Sequence, residues 1–141
     1  MDYIQSNKLA WEDAFRHRKP GWGDDHVARL QSEHLPFLHP DIVRVVEGMA
    51  FQGKTVAQFC CNNGRELLSL MQLGAERGFG FDLAENLIAQ AREMASTVGA
   101  ACTFEACNLL ELPARYTGQF DFIFFTVGAL AWFEDLDPVF A

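Results

Sequence analysis

The chain has 141 residues, half of them hydrophobic, which suits one domain or part of a larger one and excludes a disordered polymer. No run approaches the ~20 continuous apolar residues of a membrane helix, and the N-terminus, MDYIQSNKLAWEDAF, lacks the basic start and apolar core of a signal peptide, so a cytoplasmic protein with no membrane partner is expected. A formal charge of −8 and a pI near 4.8 argue against nucleic acid as the main partner, because phosphate binding needs a basic surface.

Residues 1–23 read as an N-terminal arm. Ile4, Lys8, Trp11, Ala14 and Phe15 form an amphipathic stripe, followed by the basic RHRKP segment and the turn Pro20-Gly21-Trp22-Gly23. Asp24 is placed to N-cap a helix over Asp25–Leu35, which Pro36 ends. A further helix begins after His39 with Pro40 at its first position, where proline's missing N–H costs nothing. Its expected buried stripe is Ile42, Val45, Val46 and Met49. Residues 1–40 are expected to form an N-terminal helical arm, and 41–141 part of a second domain.

From Lys54 onward, strands and helices alternate. Strand Thr55–Cys60 leads to helix Arg65–Leu73, closed by Gly74; strand Gly78–Asp82 leads to helix Glu85–Thr97, closed by Gly99. Strand Cys102–Ala106 is followed by a loop with Pro113, and then by the nearly all-apolar strand Phe120–Thr126. Alternation of this kind implies parallel pairing through right-handed crossovers. Continuous apolar runs such as FDFIFF suit burial on both faces. The expected fold is α/β, an open doubly wound parallel sheet preceded by helices. Ligands of such sheets bind beyond the carboxyl ends of the strands, at the topological switch point.

The candidate site residues all fall at those ends. The segment VAQFCCNNGRELLSL runs strand, turn, helix N-terminus, the order of a nucleotide-type cradle whose backbone N–H groups point at a ligand; an ordinary strand–helix turn is the alternative. Of its three small positions, Cys60, Asn62 and Gly64, the last alone is glycine, and Asn62 and Asn63 are the residues able to keep a tight turn. Asp82, ending the second strand, is placed to accept from both ribose hydroxyls of an adenosine ligand or to cap the next helix. Asn108 offers an amide oxygen to an adenine amino group while the Leu109 N–H faces the ring; a turn role is its alternative. Thr126 ends the fourth strand, where a reacting group would sit or a structural hydroxyl would do.

A dinucleotide fingerprint needs a third glycine at the position of Arg65. The bulky side chain there disfavours NAD and favours a nucleoside such as S-adenosylmethionine (SAM). Cys60, Cys61, Cys102 and Cys107 contain no CxxC pair or zinc spacing, so reduced structural thiols and no metal are expected. His17, His26, His34 and His39 precede the alternating region and read as surface or packing residues, and no residue is assigned as catalytic. Tyr3, Trp11 and Trp22 are candidates to cover a cofactor or an apolar acceptor, with Trp11 the better core residue.

These segments resemble, from about Asp41 to Ala141, the class I SAM-dependent methyltransferases. QFCCNNGRE resembles their glycine motif, GFGFDLAEN the ribose motif, EACNLLELP the adenine motif and FDFIFFTVGALAWFEDL the substrate-facing fourth motif. VGALAW and the cysteine–asparagine glycine motif look like one bacterial branch of that superfamily. The resemblance implies a Rossmann-like fold and SAM as cofactor, with a methyl group passed to an acceptor, expected to be a small molecule. It implies that Cys60, Cys61, Asn62 and Gly64 line the methionine end, that Asp82 and Leu83 hold ribose and adenine, and that Asn108 and Leu109 read the adenine. Gln58 replaces the family's usual acid and Asn108 its common aspartate. The family's sheet has seven strands and this chain shows the first four, so Phe120–Thr126 is expected to bare an apolar edge covered in a longer protein, by a second chain or by a homodimer. A non-catalytic SAM-fold partner of another subunit is the alternative function, and a nicotinamide-dependent oxidoreductase a further one.

Overall fold

The computed structural model describes residues 2–20 and 22–141. Its centre is a four-stranded parallel sheet, order β3-β2-β1-β4, built from β1 (Thr55–Phe59), β2 (Arg77–Asp82), β3 (Cys102–Ala106) and β4 (Phe122–Phe124). The chain steps outward from β1 to β3, then crosses back to add β4 on the other side of β1. That reversal is the switch point expected of a doubly wound sheet. α4 (Arg65–Leu70) and α5 (Glu85–Val98) supply the first two crossovers, and Gly74 and Gly99 close their turns in left-handed backbone. Strands β1 to β3 and helices α4 and α5 match the sequence reading to within a residue, except that the last turn of the α4 segment, Met71–Leu73, tightens to 3₁₀ geometry.

One face of the sheet packs on α4 and α5. Val56, Leu67, Leu70, Ile88, Ala91 and Phe104 are buried together there, each large side chain contributing about 1.5–3 kcal/mol. Among the described residues the other face carries no α-helix. Phe59, Phe79, Phe81, Tyr116 and Phe120 cover it as an edge-to-face aromatic cluster, with the Phe81–Tyr116 centroids 4.9 Å apart. Ring packing thus lets a short irregular segment, 109–121, do the work of a helix.

The N-terminal helices depart further from expectation. α1 (Tyr3–Arg16) shows the predicted stripe, with Ile4, Lys8, Trp11 and Phe15 half-buried and Ala14 exposed. It docks on the start of α5 through Lys8 to Glu85 at 2.6 Å and Asn86 to the Glu12 carbonyl at 2.9 Å. In the expected turn Pro20-Gly21-Trp22-Gly23, Gly21 lies outside the described residues. α2 spans only His26–Ser32 and follows Asp25 rather than Asp24, with no side-chain cap. It stops short of Leu35, which turns into left-handed backbone (φ 46°) to bury its side chain. α3 (Pro40–Val46) keeps Pro40 in its first turn, but its expected stripe is broken: Val45 is 64% exposed and Met49 lies beyond the helix end. Among the described residues no helix is long and apolar enough to cross a membrane.

β4 is also shorter than the run Phe120–Thr126. Phe120 leaves the ladder to join the aromatic cluster, and Phe125 turns onto Phe59 (5.5 Å) and Phe140 (5.9 Å). Its outer edge is open, with Ile123 half-exposed above an apolar groove that Val45, Val46 and Met49 complete.

Candidate functional site

A cavity of about 390 Å³ opens at the carboxyl ends of the strands, beside the switch point. Its size suits a nucleoside-sized ligand. Of the predicted residues, Cys60, Cys61 and Asn62 line it from the β1 turn, Asp82 and Leu83 from the end of β2, Asn108 and Leu109 from the end of β3, and Thr126 from beyond β4. Gly64 does not line it. Position 64 instead passes so close to Phe104 that an added Cβ would lie 2.5 Å from the ring.

The backbone explains the altered turn. Cys60 (φ 56°), Asn62 (φ 54°) and Gly64 (φ 77°) are all left-handed, alternating with ordinary residues between them. The fold therefore imposes glycine-like geometry at all three positions, and the cysteine carries it at a cost of about 1–3 kcal/mol. Asn62 offsets part of its own cost, since its side-chain oxygen accepts the Asn63 N–H at 2.8 Å. Asn63 is not left-handed; it is buried and donates to Gln90 on α5 at 3.0 Å.

The expectation of ligand-facing N–H groups is corrected here. The Asn62 N–H donates to the Asp82 carboxylate at 2.8 Å, the Cys61 N–H to the Phe81 carbonyl at 2.9 Å and the Gly64 N–H to the Cys61 carbonyl at 2.9 Å. A pyrophosphate would need those donors free. The turn is closed on itself and suits a cofactor without phosphates.

Asp82 organises this corner. One oxygen accepts from Asn62 and the other from the Ala84 N–H at 3.1 Å, so it braces the loop into α5, whose N-cap position is Ala84. Burial pushes its carboxyl above the ordinary value of 3.8, against the opposing pull of the backbone N–H groups of Ala84, Asn62 and Leu83. These N–H groups do not exhaust the carboxylate's acceptor sites, so capacity remains for a ligand hydroxyl. Asn108 caps its own turn, its side-chain oxygen accepting the Leu110 N–H at 3.1 Å, which leaves the amide NH₂ for other partners.

Burial pushes the Cys60 thiol up to about 12 and Cys107 to about 11. Both are neutral at physiological pH, so they present small polarizable surfaces to the cavity rather than nucleophiles. None of the histidines lines the cavity; His26 is buried against Phe37 (4.4 Å), and desolvation lowers its pKa.

Other lining residues escaped the sequence reading or were placed elsewhere by it. Trp11 lines the cavity and meets Trp132 edge-on at 5.3 Å, with Tyr3 beside it, whereas Trp22 packs against Phe15 (6.2 Å) away from the site. Cys107 follows from its place between Ala106 and Asn108. Glu66 carried no motif signal and enters the cavity from the first turn of α4.

A family model described as a methyltransferase domain matches residues 56–141. A tRNA U34 carboxymethyltransferase from Campylobacter hominis is 36% identical over 110 residues, covering 78% of this chain and 36% of that protein. The structure of geranyl diphosphate methyltransferase in complex with geranyl diphosphate and sinefungin gives a TM-score of 0.70 at 18% identity, over 99% of this chain and 60% of that one. Magnesium protoporphyrin IX methyltransferase from Synechocystis PCC 6803, with bound SAM, gives 0.61 at 20% identity, over 89% of this chain and 62% of that one. At these identities the structural likeness shows the fold. The chain spans about a third of the length of the curated relative and about three-fifths of the two structures. The match over most of the chain, together with the shared parallel sheet, shows that the chain belongs to the class I SAM-dependent methyltransferases.

Proposed function

We propose that this chain carries the cofactor half of a SAM-dependent methyltransferase that passes a methyl group to a small-molecule acceptor. The observation that carries the reading is the closed β1 turn, whose N–H groups are consumed internally while Asp82 stands at the cavity wall with lone pairs to spare. When bound, SAM supplies an activated methyl, so the difficult chemistry belongs to the cofactor. Asp82 and Leu83 then hold the adenosine, Asn108 and Leu109 face the base, and Cys60, Cys61 and Asn62 bound the methionine end. Gly64 supports them by letting α4 approach the sheet. Thr126 marks the side from which an acceptor enters, and residues 1–40 serve as a lid through Tyr3 and Trp11, excluding water. The chain's contribution is orientation of donor and acceptor, and no base is assigned. The four free thiols suit a reducing compartment, the cytoplasm.

Titration calorimetry with SAM, S-adenosylhomocysteine and NAD tests this reading. Binding of the first two without NAD is expected; NAD alone binding would return the oxidoreductase reading, and binding of none the non-catalytic partner. A tRNA acceptor is the second reading, favoured by the name of the 36% identical relative and opposed by the charge of −8. Transfer of labelled methyl to tRNA would establish it.

The open β4 edge also has a proposed occupant, a second copy of the chain pairing strand to strand. Self-association is expected in a sedimentation concentration series, and Ile123→Lys is expected to abolish it. A monomer throughout the series would sink the idea.

A further inference from the structure

Two carboxylates line the cavity, Asp82 and Glu66, and they are not equivalent. Asp82 has a backbone N–H on each oxygen. Glu66 has its Oε2 fixed by Gln58 Nε2 at 2.7 Å, while its Oε1 has no hydrogen-bond partner among the described residues. Gln58 is fully buried in the middle of β1, between Gly80 of β2 and Phe124 of β4. Its Nε2 also reaches Thr126 Oγ1 at 3.3 Å, and its Oε1 is buried with no partner among the described residues. A carboxylate only accepts, so Glu66 dictates which way the amide points. The fold thus tolerates an unpaired buried oxygen to keep the amide NH₂ on Glu66, an arrangement that costs stability and therefore calls for a role in the site.

The cofactor of the proposed function carries an α-ammonium on its amino-acid arm, a full charge with three N–H donors. A neutral amide at position 58 cannot balance that charge, and Asp82 is committed to the loop and the adenosine. We infer that Glu66 is the carboxylate that receives the cofactor's α-ammonium, with Gln58 acting as the positioning residue that holds it. The negative charge of the site is thereby supplied from α4 rather than from β1. This inference rests on the SAM reading and assigns a group within it.

The test compares two ligands by calorimetry on the full chain. S-adenosylhomocysteine carries the amino-acid arm, whereas 5′-methylthioadenosine keeps the adenosine and thioether and lacks it. Glu66→Gln is expected to weaken S-adenosylhomocysteine about 10- to 100-fold, the value of one charge-assisted contact. Methylthioadenosine affinity should change less than about twofold on the same scale, which also reports an intact fold. Gln58→Leu should produce a smaller loss of the same selectivity. Equal weakening of both ligands would make Glu66 merely structural and overturn the assignment, as would no change in either. Wild-type protein that binds neither ligand would remove the cofactor reading itself, an outcome distinct from those two.

Discussion

Gly64→Ala is expected to destabilise the domain by about 2–5 kcal/mol, a large part of the 5–15 kcal/mol that holds a domain of this size together. Two separate costs add. The backbone at Gly64 is left-handed (φ 77°), which costs an L-residue about 1–2 kcal/mol. The added Cβ would also lie 2.5 and 2.6 Å from ring atoms of Phe104 and 3.0 Å from the Ala91 Cβ, and overpacking of that kind costs about 1–3 kcal/mol. Gly80→Ala separates the two. Its Cβ would meet the same ring at 2.5 Å, with Cys61 Sγ at 3.0 Å, but its backbone is not left-handed. It should lose only the steric part. In a Phe104→Leu background both variants should recover the clash with the ring and keep only the 3.0 Å contacts with Cys61 Sγ and the Ala91 Cβ, while Gly64→Ala retains in addition about 1–2 kcal/mol of backbone strain. Urea unfolding of the single and double variants reads these differences. Equal costs at both glycines, fully recovered in the Phe104→Leu background, would show that the left-handed turn contributes nothing.

The same ring explains what the sequence could disclose. Strands β1 to β3 and helices α4 and α5 were legible because short apolar runs alternate with helical patterns, with Gly74 and Gly99 closing the helical segments and Asp82 ending β2, signals that act locally. The strand-end rule then placed eight of the nine site candidates on one cavity wall. Gly64 was legible as a special position, but its partner, Phe104, lies in β3 and its reason for being glycine is tertiary. Where neighbours decide, local signals fail. Pro36 marked a stop for α2, yet burial of Leu35 ended the helix at Ser32. The apolar run FDFIFFT promised seven strand residues, and aromatic contacts drew Phe120 and Phe125 out of the ladder. Glu66 was invisible for a related reason: its meaning depends on how the β1 turn folds back to bring it onto Gln58 of the preceding strand. No local pattern states that the N–H groups of a turn are already occupied.

In the proposed reading Asp82 serves both the fold and the cofactor, so its variants should be the most damaging to binding. Asp82→Ala removes the acceptors of the Asn62 N–H (2.8 Å) and the Ala84 N–H (3.1 Å). Hydrogen bonds to a charged group contribute about 1.5–3 kcal/mol each, so a stability loss of roughly 2–4 kcal/mol is expected after partial relaxation. Asn62 would also lose the bond that holds its left-handed backbone, opening the β1 turn. Asp82→Asn keeps the shape but turns an NH₂ toward one of two N–H donors, so it should cost less stability and still weaken S-adenosylhomocysteine by more than about 100-fold. The protonation of Asp82 adds a second signature. Its folded pKa is raised by burial, so the pH-dependent part of its effect on the stability of the free protein is complete below the unfolded value of 3.8 and is lost as pH rises through the folded value, apart from the hydrogen bonds that Asp82→Ala removes. Ribose hydroxyls donate to the ionised form, so binding must expel the proton wherever the free protein still holds it. Affinity should therefore climb as pH rises from about 4 and level off above the folded pKa, with proton release seen in buffers of different ionisation enthalpy. Asp82→Asn cannot lose a proton and should show a flat profile over the same range. A wild-type affinity independent of pH there, or a variant that still climbs, would place the ribose contact on another residue.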